Sequence, residues 1–109
     1  QWTLDAEYLS RLVRASSEPF SGAFSFYKNK KLIIWKARYQ NHDCPTLCIP
    51  GQVLWRNINT GEVGIGTGDG QLILQEVEYL EQGRQLPNLI FKSLRDRLSE
   101  PMHIEEVVN

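Results

Sequence analysis

The sequence predicts a mainly β domain: a small, open Greek-key barrel with a helix at each end. Three observations predict it. Five short apolar stretches follow one another between residues 23 and 80. Turn-forming residues separate them (Asn29, Asn59-Thr60-Gly61, Gly68-Asp69-Gly70), and these residue types tolerate positive φ or bond their own backbone. Stretches with helical spacing flank the strands on either side.

The first helix follows Asp5, whose carboxylate can accept from a free backbone N–H at the helix start, and Glu7 suits the first turn. Tyr8, Leu9, Leu12 and Val13 share one face at helical spacing, and Ser16, Ser17 and Pro19 end the helix. A hairpin comes next, with strands Ala23–Tyr27 and Lys31–Tyr39 around Lys28-Asn29-Lys30, where Asn29 suits the left-handed region. In the return strand Ile33, Trp35, Ala37 and Tyr39 alternate onto one face, taken as the core face, while Lys36 and Arg38 point outward. Two prolines and no periodicity make residues 40–50 a loop. Strands Gln52–Ile58, Glu62–Thr67 and Gln71–Leu80 follow. In the last, the apolar phase changes from Leu72 and Leu74 to Val77 and Tyr79, which predicts a β-bulge near Gln75-Glu76. After Gln82-Gly83, Pro87 suits the first turn of a helix running to about Leu98, with Leu89, Ile90 and Leu94 inward and Phe91 a further candidate for that face. Residues 1–98 form a single domain on this reading, and residues 99–109, with Pro101 and three glutamates, read as a tail or linker. Short strands, tight turns and one long loop suit an OB-like barrel.

The 109 residues suffice for one core, and 41% hydrophobic with 23% charged residues is ordinary for a globular domain. No apolar run approaches the ~20 residues that span a bilayer, so no membrane partner is expected. Cys44 and Cys48 are too few for a disulfide framework, and a reducing, cytoplasmic setting is the expectation. The chain starts at Gln1 without a Met and is expected to be a piece of a longer polypeptide. Net charge is −1, which alone argues against strong nucleic-acid binding, yet its distribution is lopsided. Residues 1–40 hold seven Lys/Arg against Asp5, Glu7 and Glu18, whereas residues 41–109 hold five basic and ten acidic side chains.

Read in order, Val13-Arg14-Ala15, Pro19, Gly22-Ala23-Phe24, Lys31 to Ala37, Pro50-Gly51-Gln52-Val53 and Thr67-Gly68-Asp69-Gly70 before Leu72-Ile73-Leu74 form a pattern. The ordered set resembles the C-terminal domain of the methionyl-tRNA formyltransferase family, which includes sugar-nucleotide and folate-linked relatives. The resemblance covers about residues 2–80 and implies an OB-like barrel. It also implies an N-terminal α/β catalytic domain in the same polypeptide, which binds formyl-tetrahydrofolate and carries the catalytic Asn, His and Asp. This chain would then hold no catalytic residue and no cofactor. In tRNA-specific members the domain helps hold the tRNA. In sugar-directed or carrier-bound-amine members it packs or assembles without touching RNA. Outside enzymology, a free-standing interaction or nucleic-acid-binding barrel remains an alternative.

Arg14, Lys28, Lys30, Lys31, Lys36 and Arg38 are the candidate RNA or substrate contacts, because cations on one face neutralise phosphates and release counterions. The competing reading is a strand edge kept soluble by lysines. Asn41-His42-Asp43 has the residue types of formyl transfer, but adjacent loop residues cannot easily aim at one atom. His42, Cys44 and Cys48 lack a near fourth zinc ligand, His103 being distant, so no metal site is expected. Residues 64–70 are glycine-rich, but Asp69 stands where a dinucleotide motif needs glycine and a strand follows, which favours a hairpin. Trp35 and Trp55 are expected in the core, and Trp2 against the first helix or a neighbouring domain. Phe24, Phe26 and Tyr27 are expected to pack, with base stacking as the alternative.

Overall fold

The computed structural model describes residues 5–17, 22–28, 30–40, 50–80, 82–93, 98 and 103–104. Helix α1 (Ala6–Ser16) starts where the cap was expected: the Asp5 carboxylate accepts from the Tyr8 backbone N–H at 2.8 Å. Its buried face holds Leu9 and Val13, with Leu12 packed beside them. Tyr8, assigned to that face, is 49% exposed, so the apolar stripe is narrower than the spacing implied.

The strands are β1 (Ala23–Tyr27), β2 (Lys30–Gln40), β3 (Val53–Arg56), β4 (Val63–Gly66), β5 (Gln71–Tyr79), β6 (Arg84–Gln85) and β7 (His103–Ile104). They form one antiparallel sheet in the order β3-β4-β5-β2-β1-β7, with β6 also paired to β5. The meander β3-β4-β5 returns its last strand to β2, so these four strands make a Greek key. β4 and β6 share one edge of β5: β4 pairs with residues 71–74 and β6 with Val77 and Glu78. β7 lies beyond the sequence-based boundary at Leu98 and pairs with Ala23 and Phe24. The sheet is an open barrel. At its gap, the Leu98 N–H donates to the Gly51 carbonyl at 2.8 Å, while Leu98 also bridges to Tyr27 of β1.

The expected bulge is present. Lys36 faces Glu76 and Ala37 faces Leu74, so Gln75 is the extra residue on β5. A second irregularity lies one step earlier: Ile34 faces Val77 and Lys36 faces Glu76, leaving Trp35 extra on β2. This second bulge corrects the face assigned to β2. Leu32 and Ile34 are the buried residues, whereas Ile33 and Trp35 lie half-buried on the outer face. After the bulge Ala37 packs against the core and Tyr39 is exposed. The core is completed by Val53, Val63, Ile65, Leu72, Leu74, Val77 and Phe91.

The C-terminal helix also needs correction. Pro87–Leu89 forms a single 3-10 turn, and residues 90–93 are not helical. Phe91, the further candidate, is fully buried, but Leu89 is exposed; Leu94 lies outside the described residues. The Asn88 N–H donates to the Gly61 carbonyl, tying this turn to the β3–β4 connection, while the Ile90 and Phe91 N–H groups still donate to the Pro87 carbonyl. No helix among the described residues is long and apolar enough to cross a membrane.

Candidate functional site

Tyr27 pairs directly with Lys30, which makes Lys28-Asn29 a two-residue hairpin connection. Such loops require positive φ. Lys28 has φ 51°, an uncommon conformation for a residue with a Cβ. Asn29, expected to adopt it, lies outside the described residues. Lys28, Lys30 and Lys31 are all exposed at this tip. The Lys28 ammonium sits 5.3 Å from the Tyr27 ring centroid, and the Lys31 ammonium 4.6 Å from that of Phe24. Each cation therefore rests on an aromatic face while its charge stays accessible.

The other three candidates lie elsewhere. Arg14 is exposed in the last turn of α1, where a cation complements the helix dipole. Lys36 is exposed beyond the bulge and faces Glu76 in the register. Arg38 is occupied: its Nη2 and Nε donate to the two Glu62 oxygens at 3.0 and 3.2 Å. Gln75 Nε2 donates to the same carboxylate at 3.1 Å. The Arg38 hydrogen bonds hold the Glu62 carboxyl below the usual carboxylate range, and the same bonds raise Arg38.

Two concavities flank the hairpin tip. One, of about 270 Å³, is lined by Lys30, Lys31, Ile33, Glu78 and Leu80. The other, of about 260 Å³, is lined by Tyr27, Lys28, Tyr79, Leu89, Ile90 and Lys92. Lys92 was missed from sequence because it stood in a presumed helix, with nothing local to join it to Lys28. The Tyr79 hydroxyl donates to the Tyr27 carbonyl at 2.8 Å, and burial pushes its pKa up, so the phenol stays neutral at ordinary pH. Among the described lining residues Glu78 is the one carboxylate, and its Oε1 accepts from Trp35 Nε1 at 3.1 Å.

The glycine-rich turn has a structural task. The Asp69 carbonyl accepts from the Ala6 N–H at 2.9 Å, and Thr67 Oγ1 bonds the Asp69 and Gly70 carbonyls, so the turn anchors the start of α1. Gly70, at φ 82°, meets the positive-φ requirement of that turn. Trp35 and Trp55, expected in the core, are each half-buried at its margin with the indole N–H bonded to Glu78 and Gln71. The guanidinium of Arg84 stacks 4.2 Å from the Trp35 ring centroid. Of the aromatic residues considered for stacking, Tyr27 is buried, while Phe24 and Phe26 pack edge-to-face at 5.8 Å and remain half-buried. Trp2, the 41–49 loop with Asn41, His42, Asp43, Cys44 and Cys48, and the His103 side chain lie outside the described residues.

The family model described as the formyl transferase C-terminal domain matches residues 1–95.

Proposed function

Because the chain belongs to the formyltransferase C-terminal domain family, we propose that it is an accessory domain that helps a formyltransferase hold a tRNA acceptor. The parent reaction, on this reading, moves a formyl group from formyl-tetrahydrofolate to an amine in an N-terminal catalytic domain of the same polypeptide. This domain supplies binding energy and orientation. The observation that carries the reading is the hairpin tip, where Lys28 of the turn and Lys30 and Lys31 at the start of β2 all stand exposed. Lysines there act as point charges toward phosphates. Arg38 leaves the contact set, because its guanidinium already serves Glu62. A cytoplasmic setting agrees with a folate-linked reaction on tRNA.

The test is kinetic and uses the full-length enzyme. Replacing Lys28, Lys30 and Lys31 with Ala should raise KM for the aminoacylated tRNA while leaving KM for the formyl donor unchanged. An unchanged tRNA KM would return the leading place to an amino-sugar or carrier-bound amine acceptor, for which this domain packs and touches no RNA.

A further inference from the structure

Among their described lining residues, the two concavities beside the hairpin tip differ in charge. The one lined by Lys30 and Lys31 also contains the Glu78 carboxylate, which opposes an anion. The one lined by Lys28 and Lys92 has no carboxylate among its described lining residues; its walls are Tyr27, Tyr79, Leu89 and Ile90. Its two ammonium groups come from segments far apart in sequence, and tertiary structure alone places them on one depression. At about 260 Å³ the depression has room for a single phosphate group, since roughly 10–15 Å³ of such volume holds one water.

The hairpin sets the position of one of these cations. Lys28 holds φ 51°, the left-handed conformation that the two-residue connection requires, and its ammonium lies 5.3 Å from the centroid of the Tyr27 ring, which also lines the depression.

We infer that the depression formed by Lys28, Lys92, Tyr27 and Tyr79 is a phosphodiester subsite, with Lys92 a further acceptor-binding residue. The inference rests on the tRNA reading above and deepens it by adding a residue and a defined place for one backbone phosphate. Phe91 fixes Lys92 there: it is fully buried, and its ring lies 4.8 Å from that of Tyr27. The segment that carries Lys92 is therefore clamped to the hairpin that carries Lys28.

The experiment measures tRNA affinity of the full-length enzyme across a salt series, comparing wild type with Lys92→Ala, Lys92→Arg and Arg11→Ala. Arg11 pairs with Glu7 on α1, so its removal changes net charge equally at a distant place. The subsite predicts that Lys92→Ala flattens the slope of log affinity against log salt by about one unit, that Lys92→Arg keeps it, and that Arg11→Ala does not change it. A wild-type slope retained by Lys92→Ala overturns the subsite and leaves the tRNA reading standing. Equal flattening by Lys92→Ala and Arg11→Ala also overturns it, because a general field effect then suffices. Wild-type enzyme that shows no salt-dependent tRNA binding overturns both. Lys92 is exposed, so unfolding of its variants is not expected, and matching melting temperatures check this.

Discussion

Arg38 of β2 grips Glu62 at the start of β4 with two parallel hydrogen bonds, at 3.0 and 3.2 Å. The pair joins strands that are not neighbours in the sheet, because β5 lies between them. It spans the outer surface of the barrel as a brace. The Arg38 side chain is 50% exposed and that of Glu62 17%, so solvent screens much of the attraction. Glu62→Gln should destabilise the domain by about 1 kcal/mol at neutral pH, the upper end for a bidentate surface pair. The sign of its pH dependence follows from the depressed Glu62 carboxyl. Its contribution is fully present above the unfolded carboxylate pKa of about 4.3 and is lost as pH falls through the lower folded value. Denaturation of wild type and variant at pH 7 and in acid should therefore show a gap that closes on acidification. A gap independent of pH would contradict the role given to the carboxylate.

Gly64 of β4 has no room for a side chain. A Cβ there would press on Trp55 Nε1 and lie 2.6 Å from Gln71 Oε1, two atoms that hydrogen-bond each other. Gly64→Ala must push this pair apart and should cost about 1–3 kcal/mol by overpacking. Chemical denaturation followed by tryptophan fluorescence reads both the loss of stability and the altered Trp55 environment. An unchanged midpoint and spectrum would mean that Gly64 and the Trp55 indole are not so closely packed.

At the hairpin tip, the proposed function and stability should respond in opposite directions to one substitution. Lys28→Gly removes the positive-φ strain but adds glycine's own entropy cost of roughly 0.5–1 kcal/mol. Stability should stay level or rise by up to about 1 kcal/mol. Acceptor affinity of the full-length enzyme should fall nonetheless. A variant that loses both stability and affinity would show that the lysine serves the turn rather than the ligand.

Phe91→Ala should be the most damaging of these substitutions, at about 3–5 kcal/mol, because a fully buried ring leaves a cavity against Tyr27. Thermal melting tests the magnitude. Phe91→Leu, a smaller loss, should weaken tRNA binding beyond what its stability change explains, since it loosens the segment that positions Lys92. Affinity unchanged in a Phe91→Leu protein that is measurably destabilised would disconnect the clamp from the site.

Much of this architecture was legible in the residues. The Asp5 cap, the hairpin, the meander and the bulge at Gln75 each left a local mark: a capping residue, a turn signal or a change of apolar phase. The face of β2 was not legible, because Leu32, Ile33, Ile34 and Trp35 are all apolar and both sides of the strand are covered. Inside, α1 and the core cover Leu32 and Ile34. Outside, Arg84 lies over Trp35, and Gly22 sits so close that an added Cβ would meet Ile33 at 2.6 Å. Period-2 reasoning fails when neither face is polar, and the bulge at Trp35 shifts the phase midway. The candidate site was half legible for a related reason. Lys28, Lys30 and Lys31 are together in sequence, so their assembly is local. The pairing of Arg38 with Glu62 depends on which strands meet, and Lys28 and Lys92 line one concavity only through the tertiary fold. Helical spacing after Pro87 carried through a single 3-10 turn among the described residues, which the Asn88 N–H ties to the β3–β4 connection through the Gly61 carbonyl.

The measurement closest to the central claim, that this domain holds the acceptor through phosphate contacts at the hairpin tip, is the salt dependence of tRNA affinity in the full-length enzyme. Wild type is compared with the protein carrying Lys28→Ala, Lys30→Ala and Lys31→Ala together. The account predicts a slope of log affinity against log salt flatter by roughly one unit for each phosphate-bound lysine removed, so by up to about three, and a drop in affinity that is similar for different tRNA sequences. Identical slopes and affinities for the two proteins at every salt concentration would contradict it, and the lysines would then be a solubilising edge of the sheet.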